Sequence, residues 1–126
     1  MTMNNAYELA KCYLKKHRYK VVEDEDGDIV FHYQLNRFHI FKDQQSDGYL
    51  MVLSNLDKVS DVDKGLKYCN EINVELKQVK VYVHSNHVFA SAEVNFLTKD
   101  DMEHQMDILL KAILVAKKLY KKYISE

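Results

Sequence analysis

A chain of 126 residues, 47% hydrophobic and 29% charged, is long enough for one domain and too short for two ordinary ones. No stretch approaches the ~20 apolar residues of a membrane helix, and Met1 to Asn5 does not lead a basic segment into an apolar one, so no secretory signal is expected. Eighteen basic against nineteen acidic residues give a formal charge of −1, which excludes charge-driven nucleic-acid binding as the default.

With no proline, three glycines (Gly27, Gly48, Gly65), no linker composition and no internal repeat, residues 1–126 read as a single cytoplasmic domain. The first element is a helix from about Asn5 to His17, with Asn4 or Asn5 as N-cap. Its apolar face would hold Ala6, Leu9, Ala10, Tyr13, Leu14 and His17. Four strands follow. Tyr19–Asp24 leads through the acidic turn Glu25-Asp26-Gly27-Asp28 into Ile29–Leu35, where Ile29, Phe31, Tyr33 and Leu35 alternate with Val30, His32 and Gln34. A turn at Leu35-Asn36 would pair this strand with Arg37–Lys42, set Phe31 against Ile40 and Tyr33 against Phe38, and place His32 opposite His39. After the polar loop Asp43 to Gly48 comes Tyr49–Ser54. The apolar run Leu50 to Leu53 suggests a central strand covered on both faces.

Ser60-Asp61-Val62-Asp63 opens a second helix with capping-box spacing from Ser60. Val62, Leu66, Cys69, Asn73 and Leu76 form its stripe, with Ile72 beside it. A second hairpin follows. Val79, Val81 and Val83 alternate with Lys80, Tyr82 and His84, and a Ser85-Asn86 turn leads into His87–Phe96. That turn pairs Val83 with Val88 and Val81 with Ala90, and sets His84 opposite His87. Thr98 and Asp101 repeat the capping-box spacing before a long helix, Lys99 to Tyr123. Its inner face would carry Met102, Met106, Leu109, Leu110, Ile113, Leu114, Lys117 and Tyr120. The order α-β-β-β-β-α-β-β-α with hairpin connections implies an α+β, two-layer domain built on a largely antiparallel sheet.

The helix exit Tyr68-Cys69-Asn70-Glu71-Ile72-Asn73-Val74-Glu75-Leu76 leads into Val79–Val83, a short turn and a further strand. Together with the first helix, the acidic turn and the strand Asp28–Tyr33, this resembles the type III secretion chaperone-like fold. Within that fold it resembles the YbjN-like family, a group of bacterial sensory-transduction regulators. The resemblance covers most of the chain and carries no catalytic residues. It implies a non-enzymatic, homodimeric protein that holds a protein or peptide segment.

The remaining residues add little chemistry. With Gly27 as the sixth position of a calcium loop, Val22 and Tyr33 would fall on the first and twelfth positions, where neither can serve, so the acidic run reads as a solvated turn. The pairs His32/His39 and His84/His87 have no third ligand beside them in sequence, and no metal or cofactor is expected. Cys12 and Cys69 lie apart on helical stripes and read as reduced core thiols. The clusters Lys15-Lys16-His17-Arg18 and Lys117–Lys122 suit helix C-termini and would form an anion patch only if adjacent. Tyr33, Tyr49, Tyr82, Phe38, Phe41 and Phe89 are candidates for an aromatic sheet surface. Tyr82 and Phe89 lie opposite the valines of their hairpin, where apolar residues suggest a partner or dimer surface. The candidate binding residues are therefore Tyr82, Phe89, His84, His87, His32 and His39. The alternative is a small-molecule binder or small enzyme using the same histidine- and tyrosine-lined face.

Overall fold

The computed structural model describes residues 6–42, 48–95 and 98–126. Three helices and six strands follow in the expected order: α1 Ala6–Lys16, β1 Val21–Glu23, β2 Ile29–Tyr33, β3 Asn36–Ile40, β4 Tyr49–Lys58, α2 Val62–Glu75, β5 Lys80–His84, β6 His87–Asn95 and α3 Lys99–Ser125. The expected Asn4 or Asn5 cap, most of the loop after Lys42, and Phe96 lie outside the described residues. The strands form one sheet in the order β1-β2-β3-β4-β6-β5, and every pairing is antiparallel.

Alternation along each strand divides the sheet into two unlike faces. Ile29 and Phe31, Phe38 and Ile40, Leu50 and Val52, Val81, Val88 and Ala90 point one way and join a single buried cluster with side chains of all three helices. Helix α3 supplies Met102, Met106, Leu109, Leu110, Ile113, Ala116 and Tyr120, a stripe of 3/4 spacing that lies fully in the core. Thr98 and Asp101 start that helix with the reciprocal capping box expected from their spacing.

Several local expectations are corrected. The first hairpin turns at Gln34-Leu35, both at positive φ (49° and 67°), so Phe31 pairs with Phe38, Val30 with His39 and His32 with Arg37. His32 and His39 are thus not opposite one another. Asn36, expected in the turn, instead starts β3. Its side-chain amide donates to the Gln34 carbonyl (2.8 Å) and its Oδ1 accepts from Lys117 of α3. The second hairpin turns at Ser85-Asn86 as expected and does place His84 against His87.

Strand β4 runs four residues past Ser54 because an irregularity between Asn55 and Asp57 lets Leu56 reach the core. It is central but not covered twice, since Leu50 and Val52 are buried while Met51 and Leu53 are half-buried on the other face. Helix α2 is capped by Asp61, whose carboxylate accepts from the Lys64 amide, rather than by Ser60. It is also rotated from the expected stripe. Gly65, Cys69 and Ile72 are buried, whereas Val62 and Leu66 are 41% and 52% exposed. Gly65 permits this packing, because a Cβ there would stand 3.1 Å from Val59 Cγ1. On α1 Cys12 is exposed and Tyr7 is buried instead, and His17, just past the helix end, is exposed.

Candidate functional site

No described helix or strand covers the sheet face opposite the helices. It carries His32 from β2, Arg37 and His39 from β3, and Tyr49, Met51, Leu53 and Asn55 from β4. Strand β6 adds His87, Phe89, Ser91 and Glu93, and β5 adds Lys80, Tyr82 and His84. All six candidate binding residues therefore share one face, though they do not form one cluster.

The half built on β5 and β6 is the more ordered chemically. Tyr82 and Phe89 pair directly and their rings stack with centroids 5.8 Å apart. Lys80 Nζ lies 5.4 Å from the Tyr82 ring centroid, which suits a cation over an aromatic face. His84 and His87 flank Phe89, with ring centroids at 6.4 and 6.2 Å. The His87 Nδ1 is 3.0 Å from Asn55 Nδ2. Burial raises the Tyr82 phenol above its ordinary value, with a smaller contribution from Glu93. Burial and a hydrogen bond to Glu93 push Tyr49 up to about 12. Both phenols are neutral near pH 7 and present an apolar ring with a polar tip. Beside this ladder a shallow depression is lined by Arg37, Phe38, His39, Leu53, Asn55 and Phe89.

The sequence reading missed Met51, Leu53, Arg37 and Asn55. The period-two alternation of Tyr49, Met51, Leu53 and Asn55 was the available signal, but the unbroken apolar run masked it. Two proposed surface aromatics belong elsewhere: Phe38 is fully buried under the helices and Tyr33 packs edge-on against Tyr19 and Phe38. Phe41 does lie beside His39, with ring centroids 4.7 Å apart.

The two basic clusters do not converge. The end of α1 is tied to the start of α3, where Lys16 Nζ and His17 Nε2 stand 3.1 and 3.3 Å from the Glu103 carboxylate. Lys117 and its neighbours are roughly 25 Å further along the same helix. Cys69 is buried, and burial raises its thiol above the ordinary value, which disfavours the nucleophilic thiolate. No described helix is long and apolar enough to cross a membrane.

The helix exit carries a specific device. Asn73 Nδ2 donates to the Val81 carbonyl and Asn73 Oδ1 accepts from the Val81 amide, both at 2.8 Å. Strand β5 lies at the sheet edge, so one side-chain amide takes the place of a neighbouring strand at Val81.

No family model matches the sequence, and no curated protein matches it. Solved structures do share its fold. An uncharacterized protein from Methanothermobacter thermautotrophicus superposes with a TM-score of 0.62 at 16% identity, over 91% of this chain and 96% of that one. The Yersinia pestis type III secretion chaperone SycH, solved with a stable fragment of YscM2, gives 0.63 at 11% identity over 88% and 95%. SchA, from the HopA1–SchA chaperone–effector complex, gives 0.60 at 13% identity over 88% and 91%. The chain has the type III secretion chaperone-like fold.

Proposed function

We propose that this protein is a non-enzymatic interaction module that holds a segment of a partner protein on the open sheet face and acts as a homodimer in the cytoplasm. The observation that carries the reading is the apolar content of a face no described element covers. Tyr49, Met51, Leu53, Tyr82 and Phe89 are all half-buried there, and aromatic and Met side chains are enriched where proteins meet. SycH and SchA, which share the fold, were solved with protein partners. The helix exit with Asn70 and Asn73 supports a place among YbjN-like regulators within that fold.

A second copy has a natural seat on α2, where Val62 and Leu66 stand one turn apart in solvent. Light scattering behind size exclusion is expected to give about twice 14.9 kDa. Leu66→Asp is expected to halve the mass without changing the circular dichroism. A monomer at every concentration overturns the dimer, and a dimeric Leu66→Asp variant overturns its placement on α2. For the partner face, a photo-crosslinking amino acid at position 89 in the native host is expected to yield a discrete adduct with one protein. The same group at position 115, on the outer side of α3, should yield none. Equal or absent adducts at both positions overturn the assignment.

The small-molecule alternative draws on the depression between β3, β4 and β6. It predicts that low-molecular-weight ligands, rather than a protein, protect position 89 from crosslinking.

A further inference from the structure

We propose that His39, Asp24 and Asp28 form a binding site for one transition-metal dication of the zinc class. The sequence offers no sign of it, because the imidazole comes from β3 and the carboxylates from the turn between β1 and β2. Pairing of Val30 with His39 swings the imidazole over the turn between β1 and β2. His39 Nε2 then stands 3.4 Å from Asp28 Oδ2 and 3.7 Å from Asp24 Oδ2. One donor atom from each of the three residues lies within 4.8 Å of the others.

His39 Nε2 is within hydrogen-bond reach of Asp28 Oδ2, and the same atoms are donors that an ion can share. Donors held about 2.0–2.2 Å from a tetrahedral zinc stand about 3.3–3.6 Å apart. The His39 separations of 3.4 and 3.7 Å are close to that spacing, so a small shift of the side chains would bring the three donors onto one ion. Each carboxylate is also aimed by its second oxygen. Asp28 Oδ1 accepts from the Lys42 amide at 2.8 Å, and Asp24 Oδ1 accepts from the amides of Asp26 and Asp28 at 2.9 and 3.0 Å. Backbone donors of this kind fix ligand orientation before the metal arrives. The nitrogen donor and the small ligand count suit zinc and not calcium, which takes 6–8 oxygens. Three protein ligands leave a fourth position for water or for a side chain of a bound partner. Because the ligands span the β1–β2 turn and β3, the ion would also fasten the β1 end of the sheet.

The test is calorimetric titration of the chelator-treated full chain with zinc chloride at pH 7.5, followed by cobalt(II) absorption spectroscopy. Saturable binding with one ion per chain and a tetrahedral cobalt spectrum are expected, together with a rise in the thermal midpoint. His39→Ala and Asp28→Asn should each weaken zinc by at least about tenfold, and His84→Ala should leave it unchanged. Asp24→Asn, which keeps the turn's carbonyl acceptor, guards against a misfolded variant and should weaken zinc as well. No saturable binding at millimolar zinc overturns the site. So does binding that survives His39→Ala or is lost in His84→Ala, which would move the ion to the other hairpin.

Discussion

Asn73 shows how much one side chain can settle at an edge. Its amide satisfies both backbone groups of Val81 on an outer strand. Asn73→Ala strips both partners and is expected to destabilise the fold by about 1–3 kcal/mol in urea denaturation. Asn73→Asp, which keeps the acceptor and loses the donor, should fall between the two. Leu35 is the opposite case. It is 99% exposed and holds φ at 67° in the hairpin turn, a region where a Cβ crowds the backbone. Nothing packs on it to offset that strain, so Leu35→Asn is expected to stabilise by about 1 kcal/mol. An unchanged urea midpoint would show the turn to be relaxed. The thiols differ by burial alone: Cys12 is exposed and Cys69 buried. A thiol reagent should modify one cysteine quickly in the native protein and the second only on unfolding.

Among the elements, α3 was legible almost residue by residue. Its apolar stripe is long, its capping box is explicit, and Met102, Met106, Leu109, Leu110, Ile113 and Tyr120 lie in the core as spaced, whereas Leu114 and Lys117 are half-buried and Ala116 is buried beside them. Helix α2 was read a fraction of a turn off, because Val62 and Leu66 look like core residues while the true seam is Gly65-Cys69-Ile72. Hydrophobicity cannot reveal a seam that depends on a missing side chain, and the close approach of Val59 to Gly65 is a tertiary fact. The two hairpins make a similar contrast. Ser85-Asn86 turned where its residues favour a turn, whereas the pull of Asn36 toward a turn was overridden by its contacts with Gln34 and Lys117. Moving the turn by one residue shifted the pairing by two, which kept the apolar side chains on their face but separated His32 from His39 and brought His39 to the acidic turn.

On the scale of the whole molecule, the sheet is covered by helices on one side and by no described element on the other, and the phenols record both environments. Tyr13 packs under α3, and burial pushes it up to about 12. Tyr49 on the open face reaches about 12 through burial and Glu93. Below pH 10 folded and unfolded chains both keep these protons, so stability is complete. Above 10.0, the ordinary tyrosine value, the unfolded chain releases them while the folded one holds them. Stability must therefore fall as pH rises from 10 toward about 12. Urea midpoints across that window should decline, and Tyr13→Phe should flatten part of the decline. A midpoint independent of pH there would refute the burial of both rings. By itself the sequence determined the element order, the α+β class and, within each hairpin, the common face of Tyr82, Phe89, His84 and His87 and of His32 and His39. These follow from periods of two and 3.6, which are local properties of the chain. Only the tertiary structure decided which side of each element was covered, where β4 ended, and that His39 meets Asp24 and Asp28. Those outcomes depend on register and on contacts between residues far apart in sequence, which local periodicity does not encode.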